Sequence, residues 1–134
     1  MGNAVMIVVL LLVGLMVGMQ LLVRSRAKAM RGKDVLALPG DLGRQLTGAP
    51  RALLYFFSPS CGACRPLTPR FAALSRSNPA VHLVDVAQDL DVARSFQVMG
   101  TPSVIEIAQG KIVGYHVGAV PAEVLARFSL RKPS

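Results

Sequence analysis

The sequence has no tryptophan, two cysteines and two histidines in 134 residues. Two cysteines are too few for a disulfide-built scaffold, and the about 100 residues left after the apolar N-terminal stretch suffice for one single-core domain without staples. There is no second C-x-x-C, so Cys61 and Cys64 lack the partners of a four-ligand structural zinc site, and no metal is expected. His82 and His116 stand apart on expected strands, as surface or satisfied sheet residues. Acidic residues are scarce, 7 against 15 Lys and Arg, for a formal charge of +8. That excess is largely local: Arg24, Arg26, Lys28, Arg31 and Lys33 crowd behind the apolar run. The other basic residues are scattered among Asp85, Asp89, Asp91, Glu106 and Glu123 without aromatic interleaving, so no nucleic-acid partner is expected.

From Ala4 to Val23 there is no charge and a single amide, Gln20. As a helix this stretch covers roughly 30 Å, the thickness of a hydrocarbon core, and it reads as a transmembrane anchor. A cleaved signal would need a basic start, a shorter apolar core and a small-residue cleavage site ahead of the mature chain. Met1-Gly2-Asn3 carries only the terminal amine, and the one A-x-A, Ala27-Lys28-Ala29, lies inside the basic flank. Lys and Arg stay on the cytoplasmic side, which predicts an N-terminus outside and a cytoplasmic domain. The alternative puts the domain on the periplasmic or extracellular side. Gly14 and Gly18 form a G-x-x-x-G through which a second membrane helix can approach, although glycine is also simply common in such helices.

Three regions are expected: an anchor over 1–23, a basic juxtamembrane segment and linker over 24–50, and a folded domain over 51–134. The linker carries Leu38-Pro39-Gly40 and Thr47-Gly48-Ala49-Pro50 around one short helix near Asp41 to Leu46, with Asp41 as its cap. Ala52 to Phe57 is a short continuous apolar run, as in a strand buried on both faces. Cys61 to Arg76 reads as a helix with Leu67, Phe71 and Leu74 on one face, Pro66 in its first turn and Pro69 kinking it. Strands follow at Val81–Val86, Ser103–Ala108 and Lys111–Val117, a short helix at Leu90–Phe96, and a closing helix at Pro121–Leu130. Gln109-Gly110 makes the last two strands a hairpin. The order implies an α/β fold, a mixed central sheet with helices on both faces, preceded by one transmembrane helix.

Cys61 and Cys64 flank Gly62 and Ala63 where the buried strand meets the helix. A thiol at a helix N-terminus faces unsatisfied N–H groups and the positive end of the macrodipole, which favours its thiolate. Cys61 is therefore the candidate nucleophile. Cys64, one turn on, is placed to attack the mixed disulfide and release the partner. Metal binding and inert buried thiols are the competing readings.

The stretch Phe56-Phe57-Ser58-Pro59-Ser60-Cys61-Gly62-Ala63-Cys64, with Pro69 as a kink proline, resembles the active-site motif of the thioredoxin superfamily. Val98-Met99-Gly100-Thr101-Pro102-Ser103 resembles that family's cis-proline loop, and Gln109-Gly110-Lys111 with Val117-Gly118-Ala119 its terminal hairpin. The resemblance covers Ala52 to about Leu130. It implies a redox-active Cys61–Cys64 disulfide, a cis Thr101–Pro102 bond facing it, and a partner strand laid against Gly62, Ala63, Thr101 and Pro102. The sequence departs from the family at Ser60 and Ala63, where tryptophan and proline are usual. It departs again at Tyr55, which takes the place of a buried acid, so the proton relay to Cys64 must differ and a dedicated partner is favoured over general reductase work.

Two functions follow as expectations. One is a membrane-tethered thiol–disulfide oxidoreductase acting on a disulfide or dithiol of a membrane-associated protein, without a cofactor. The other is an accessory or structural subunit of a membrane complex, docked through Gly14 and Gly18. A peroxidase on the same fold has no arginine or acid arrangement to support it.

Overall fold

The strand β1 (Arg51–Phe57) is the centre of the fold, with five consecutive residues, Ala52 to Phe56, fully buried. Successive side chains on a strand point to opposite faces, so this apolar run feeds two cores at once. Ala52, Leu54 and Phe56 pack on one side and Leu53 and Tyr55 on the other. The computed structural model describes residues 1–32 and 41–129. The Leu38-Pro39-Gly40 linker and Leu130 lie outside the described residues.

The other elements are α1 (Gly2–Met30), α2 (Asp41–Gly48), α3 (Thr68–Ser77), β2 (Val81–Asp85), α4 (Leu90–Ser95), β3 (Ser103–Ala108), β4 (Lys111–Val117) and α5 (Ala122–Ser129). The sheet order is β2-β1-β3-β4, with β1 parallel to β2 and antiparallel to β3, and β3 antiparallel to β4. On the Tyr55 face, Phe71 and Leu74 of α3 and Val124 and Phe128 of α5 close one core. On the Phe56 face, Met30, Leu46 of α2, Ala93 of α4 and Phe96 at its end close the other. The expected mixed sheet with helices on both faces is thus present. The hairpin turns at Gln109 and Gly110, both with positive φ (52° and 75°), the pair of left-handed residues that a tight two-residue β-turn uses.

Two expectations need correction. The helix after the dithiol begins at Thr68, not at Cys61. Pro66 and Pro69 have no N–H to donate to the carbonyls of Gly62 and Arg65, so a regular i to i−4 ladder cannot form there. The chain runs instead through tight turns, with Arg65 N–H on Gly62 O at 3.3 Å and Leu67 N–H on Cys64 O at 3.0 Å. Pro69 consequently sits in the first turn of α3 rather than kinking its middle.

Secondly, Asp41 is the first residue of α2, and its carboxylate pairs with the Arg44 guanidinium in place of capping the helix. The first helix runs on past the apolar run, as a juxtamembrane continuation of it. α1 continues through the basic stretch to Met30, which is 4 % exposed and part of the core with Ile112 and Tyr115 of β4. The basic segment 24–30 is therefore helix, one side of it packed on the domain. Before it, α1 is long and apolar enough to cross a membrane, and none of its most apolar window is buried against the protein.

A partly buried polar cluster ties β3, β4 and α5 together. Glu106 accepts from Arg127 at 3.0 Å and pairs with His116 at 3.2 Å, its side chain only 12 % exposed. Gly114 lies directly opposite Glu106, and a Cβ there would collide with the carboxylate and sit 3.2 Å from Cδ. Gly114→Ala should therefore push Glu106 off its partners and destabilise the fold by about 1–2 kcal/mol. The check is thermal unfolding of the full chain in detergent, where that cost should shrink in a Glu106→Ala background, which removes the carboxylate and leaves the Cβ.

Candidate functional site

β1 ends at Phe57 and β3 starts at Ser103, and the pairing of Phe56 with Ser103 puts these two strand ends side by side. The loop that carries Cys61 and Cys64 and the loop that carries Thr101 and Pro102 thus leave the same end of the sheet. Strand order and register, not proximity in sequence, bring the four together.

Cys61 and Cys64 form a disulfide, with Cα atoms 5.3 Å apart. Cys61 is half-buried, Gly62 and Ala63 are exposed, and Cys64 is buried, 2 % exposed. Attack by an incoming sulfur requires access, which Cys61 has and Cys64 lacks. The Cys64 N–H donates to Cys61 Sγ at 3.2 Å. This donor, and not the end of a regular helix seven residues later, is what the loop offers to a Cys61 thiolate. Cys61 N–H is itself used, donating to Ser58 O at 3.1 Å.

The Thr101–Pro102 peptide is cis. Two bonds hold its loop: Ser103 Oγ donates to Gly100 O at 2.6 Å, and Gly118 N–H to Pro102 O at 2.9 Å. Gly118 makes the second bond at φ +81°, a backbone state that glycine adopts without steric cost. Pro102 is buried and Thr101 half-buried.

Behind the dithiol lies Tyr55, stacked on Phe71 with ring centroids 4.1 Å apart and on Phe57 at 5.7 Å. Its hydroxyl meets Thr68 Oγ1 at 3.0 Å and donates to Cys64 O at 3.4 Å, while Thr68 Oγ1 donates to the same carbonyl at 2.9 Å. Burial raises the Tyr55 pKa against the opposing Thr68 bond, so the phenol stays protonated at neutral pH and cannot take a proton from Cys64. Tyr55→Phe should then leave the pH profile of thiol exchange unchanged and its rate within about threefold, where loss of a general base costs on the order of 10²–10⁴-fold. Stopped-flow exchange with glutathione disulfide between pH 6 and about 9 measures it.

Among the described residues no group of three or more metal-ligating side chains comes together. His116 is engaged by Glu106, and burial holds His82 below its ordinary pKa. On α1, Gly14 and Gly18 are exposed, with open space at both Cβ positions. Sequence reasoning missed Thr68 as the partner of Tyr55, the Glu106 cluster, and Met30 as a core residue. The Met30 signal was available: Val23, Ala27 and Met30 recur at spacings of four and three, the period of one helix face.

Residues 44–131 match the family model described as Thioredoxin. Over 84 residues, 61% of this chain, it is 36% identical to Thioredoxin-2 of Pyricularia oryzae, of which it covers 49%. It is 31% identical over 84 residues to protein disulfide isomerase-like 1-3 of Arabidopsis thaliana, of which it covers 14%. The chain therefore spans half or less of the length of these two curated relatives. Among solved structures, the reduced thioredoxin pre-protein of Schistosoma mansoni superposes with a TM-score of 0.56 at 33% identity, over 66% of this chain and 88% of that one.

Proposed function

We propose that this chain, which belongs to the thioredoxin family, is a membrane-tethered thiol–disulfide oxidoreductase that exchanges electrons between its Cys61–Cys64 pair and a protein partner. The observation that carries this reading is the asymmetry of the pair: Cys61 is accessible and receives the Cys64 N–H, while Cys64 is buried beneath it. In the reducing direction the Cys61 thiolate attacks one sulfur of a partner disulfide. An intermolecular S–S bond forms, the partner S–S bond breaks, and the partner's other sulfur leaves as a thiolate. Cys64, having lost its proton to water, then attacks Cys61 Sγ. The Cys61–Cys64 bond forms, the second partner thiolate departs, and two electrons have moved to the partner. Oxidation of a partner dithiol is the same path in reverse. Gly62 and Ala63, exposed between the cysteines, and Thr101 beside Pro102 offer the surface and backbone against which an extended partner segment lies.

The chain is divided, on this reading, into an anchor over 1–23, a basic segment over 24–50 and the redox domain over 51–134, with Val23 to Met30 docked back onto the domain. The positive flank behind the anchor favours an N-terminus outside and a cytoplasmic domain. Protease protection of the domain in right-side-out vesicles, and its loss in inverted ones, is the expected result; digestion in right-side-out vesicles would reverse the topology. The accessory-subunit alternative draws on the open faces of Gly14 and Gly18. It predicts association that Gly14→Leu with Gly18→Leu abolishes, and no dithiothreitol-sensitive adduct at Cys61.

A further inference from the structure

We infer that the dithiol end of the domain faces the bilayer surface, and that the partner disulfide belongs to a membrane-embedded protein and lies within the headgroup layer; this rests on the tethered oxidoreductase reading above. The argument starts from the direction of α1 along β4. Gly32 N–H donates to Ile112 O at 2.7 Å, near the start of β4. Met30 packs with Ile112 and Tyr115, and Ala27 against the same core. Further back along the helix, Val23 and Ala27 share a small cleft with Tyr115, Val117, Met99 and Gly100. Arg26 reaches from the same turn to Met99 Sδ, 3.4 Å away. α1 thus runs antiparallel to β4, and towards the membrane it passes from Ile112 to Val117.

Val117 pairs with Ser103, which pairs in turn with Phe56. The end of β4 that α1 approaches as it enters the apolar span is therefore the end that carries both Pro102 and the Cys61–Cys64 loop. Val23, the last residue of the uncharged run, is level with Met99 and Gly100, three and two residues before the cis-proline. Met30 is only about 10 Å further along the helix axis, so the clamp is too short to let the domain stand far off. Val23, Arg26, Ala27 and Met30 fall on one helix face at spacings of three, one and three. The burial of Met30 fixes that face to the domain.

The surface at this end suits a lipid boundary. Met99 and Val117 are 55% and 40% exposed, apolar, and adjacent to the loop that would receive substrate. Arg24, Arg26 and Lys28 are exposed around the same helix turns, where phosphates of the headgroups would meet them. At the opposite end of the sheet, Ile112 near the Gln109–Gly110 turn meets α1 at its last residue, Met30, so this turn lies on the side farther from the apolar span. A disulfide carried near the membrane surface gains the effective concentration of a shared plane, while one held far above it faces the wrong end of the domain.

The test uses the full chain in liposomes that contain headgroup-nitroxide lipid. In a Cys61→Ser, Cys64→Ser background, a fluorophore is attached through Met99→Cys or, at the far end, through Gln109→Cys. Quenching at 99 should exceed quenching at 109 several-fold, and equal or reversed quenching would overturn the orientation. In parallel, the unaltered chain, its Cys61–Cys64 pair first reduced with dithiothreitol that is then removed, is co-reconstituted with a transmembrane peptide whose disulfide loop sits about 3 or about 30 residues from the span. The near disulfide should be reduced at least tenfold faster. Equal rates for the two peptides would overturn the substrate assignment while leaving the redox reading intact. No exchange with either peptide or with glutathione disulfide would remove the redox reading itself, and the quenching would still report the orientation.

Discussion

Cys64→Ser in the full chain should accumulate partner proteins as mixed disulfides through Cys61, visible in native membranes as high-mass adducts that dithiothreitol dissolves. The resolving sulfur is gone, so the first step of exchange completes and the second cannot. Cys61→Ser should form no such adduct and lose exchange to background, a drop on the order of 10³-fold or more, as when an enzyme loses its nucleophile. The asymmetry between the two variants is the informative part. A structural disulfide would make them equivalent, because each simply breaks the same bond. Here Cys61 is accessible and Cys64 is covered, so only the former can meet a partner first.

Phe71→Ala should destabilise the domain by about 3–5 kcal/mol, the usual cost of emptying a buried aromatic site. Phe71 is 0% exposed, stacks on Tyr55, and sits on the face of α3 that closes one of the two cores. Small domains have only about 5–15 kcal/mol of stability in all, so the variant should lose a large share of its folded population. Thermal unfolding in detergent should show it as a drop of more than about 12 °C, whereas Val113→Ala should shift the midpoint little. Val113 is on β4 but 56% exposed, and its removal leaves no cavity.

Most of the domain could be read from its residues, for identifiable reasons. The Ala52 to Phe57 run carries no charged or amide residue that a solvated face would need, and it is the strand buried on both faces. The strands at Ser103–Ala108 and Lys111–Val117 are bounded by Pro102, Gly110 and Gly118, residues whose backbone limits punctuate the chain. The start of α3 was less legible, because apolar spacing at Leu67, Phe71 and Leu74 reports which face is buried but not where backbone N–H groups run out. Pro66 and Pro69 decide that.

Long-range polar partners were the least legible. Glu106, His116 and Arg127 come from three elements, and only the β3–β4 register and the packing of α5 bring them together. The same holds for Tyr55 and Thr68, 13 residues apart, which meet because the strand feeds directly into the turns before α3. Of the candidate site, Cys61, Cys64, Thr101 and Pro102 were readable as motif residues. Their shared sheet end, and the approach of α1 to that end, required the topology.

The most direct test of the central claim is the reduction potential of the Cys61–Cys64 pair in the full chain, measured by equilibration in glutathione buffers with quantification of free thiols. An exchanging pair should titrate reversibly between about −300 and about −120 mV, the range spanned by dithiol exchange proteins. A value near −270 mV would fit a reductase and one above about −180 mV an oxidant or isomerase. A disulfide that stays closed below about −300 mV, as structural disulfides do, or one that never forms, would contradict the account.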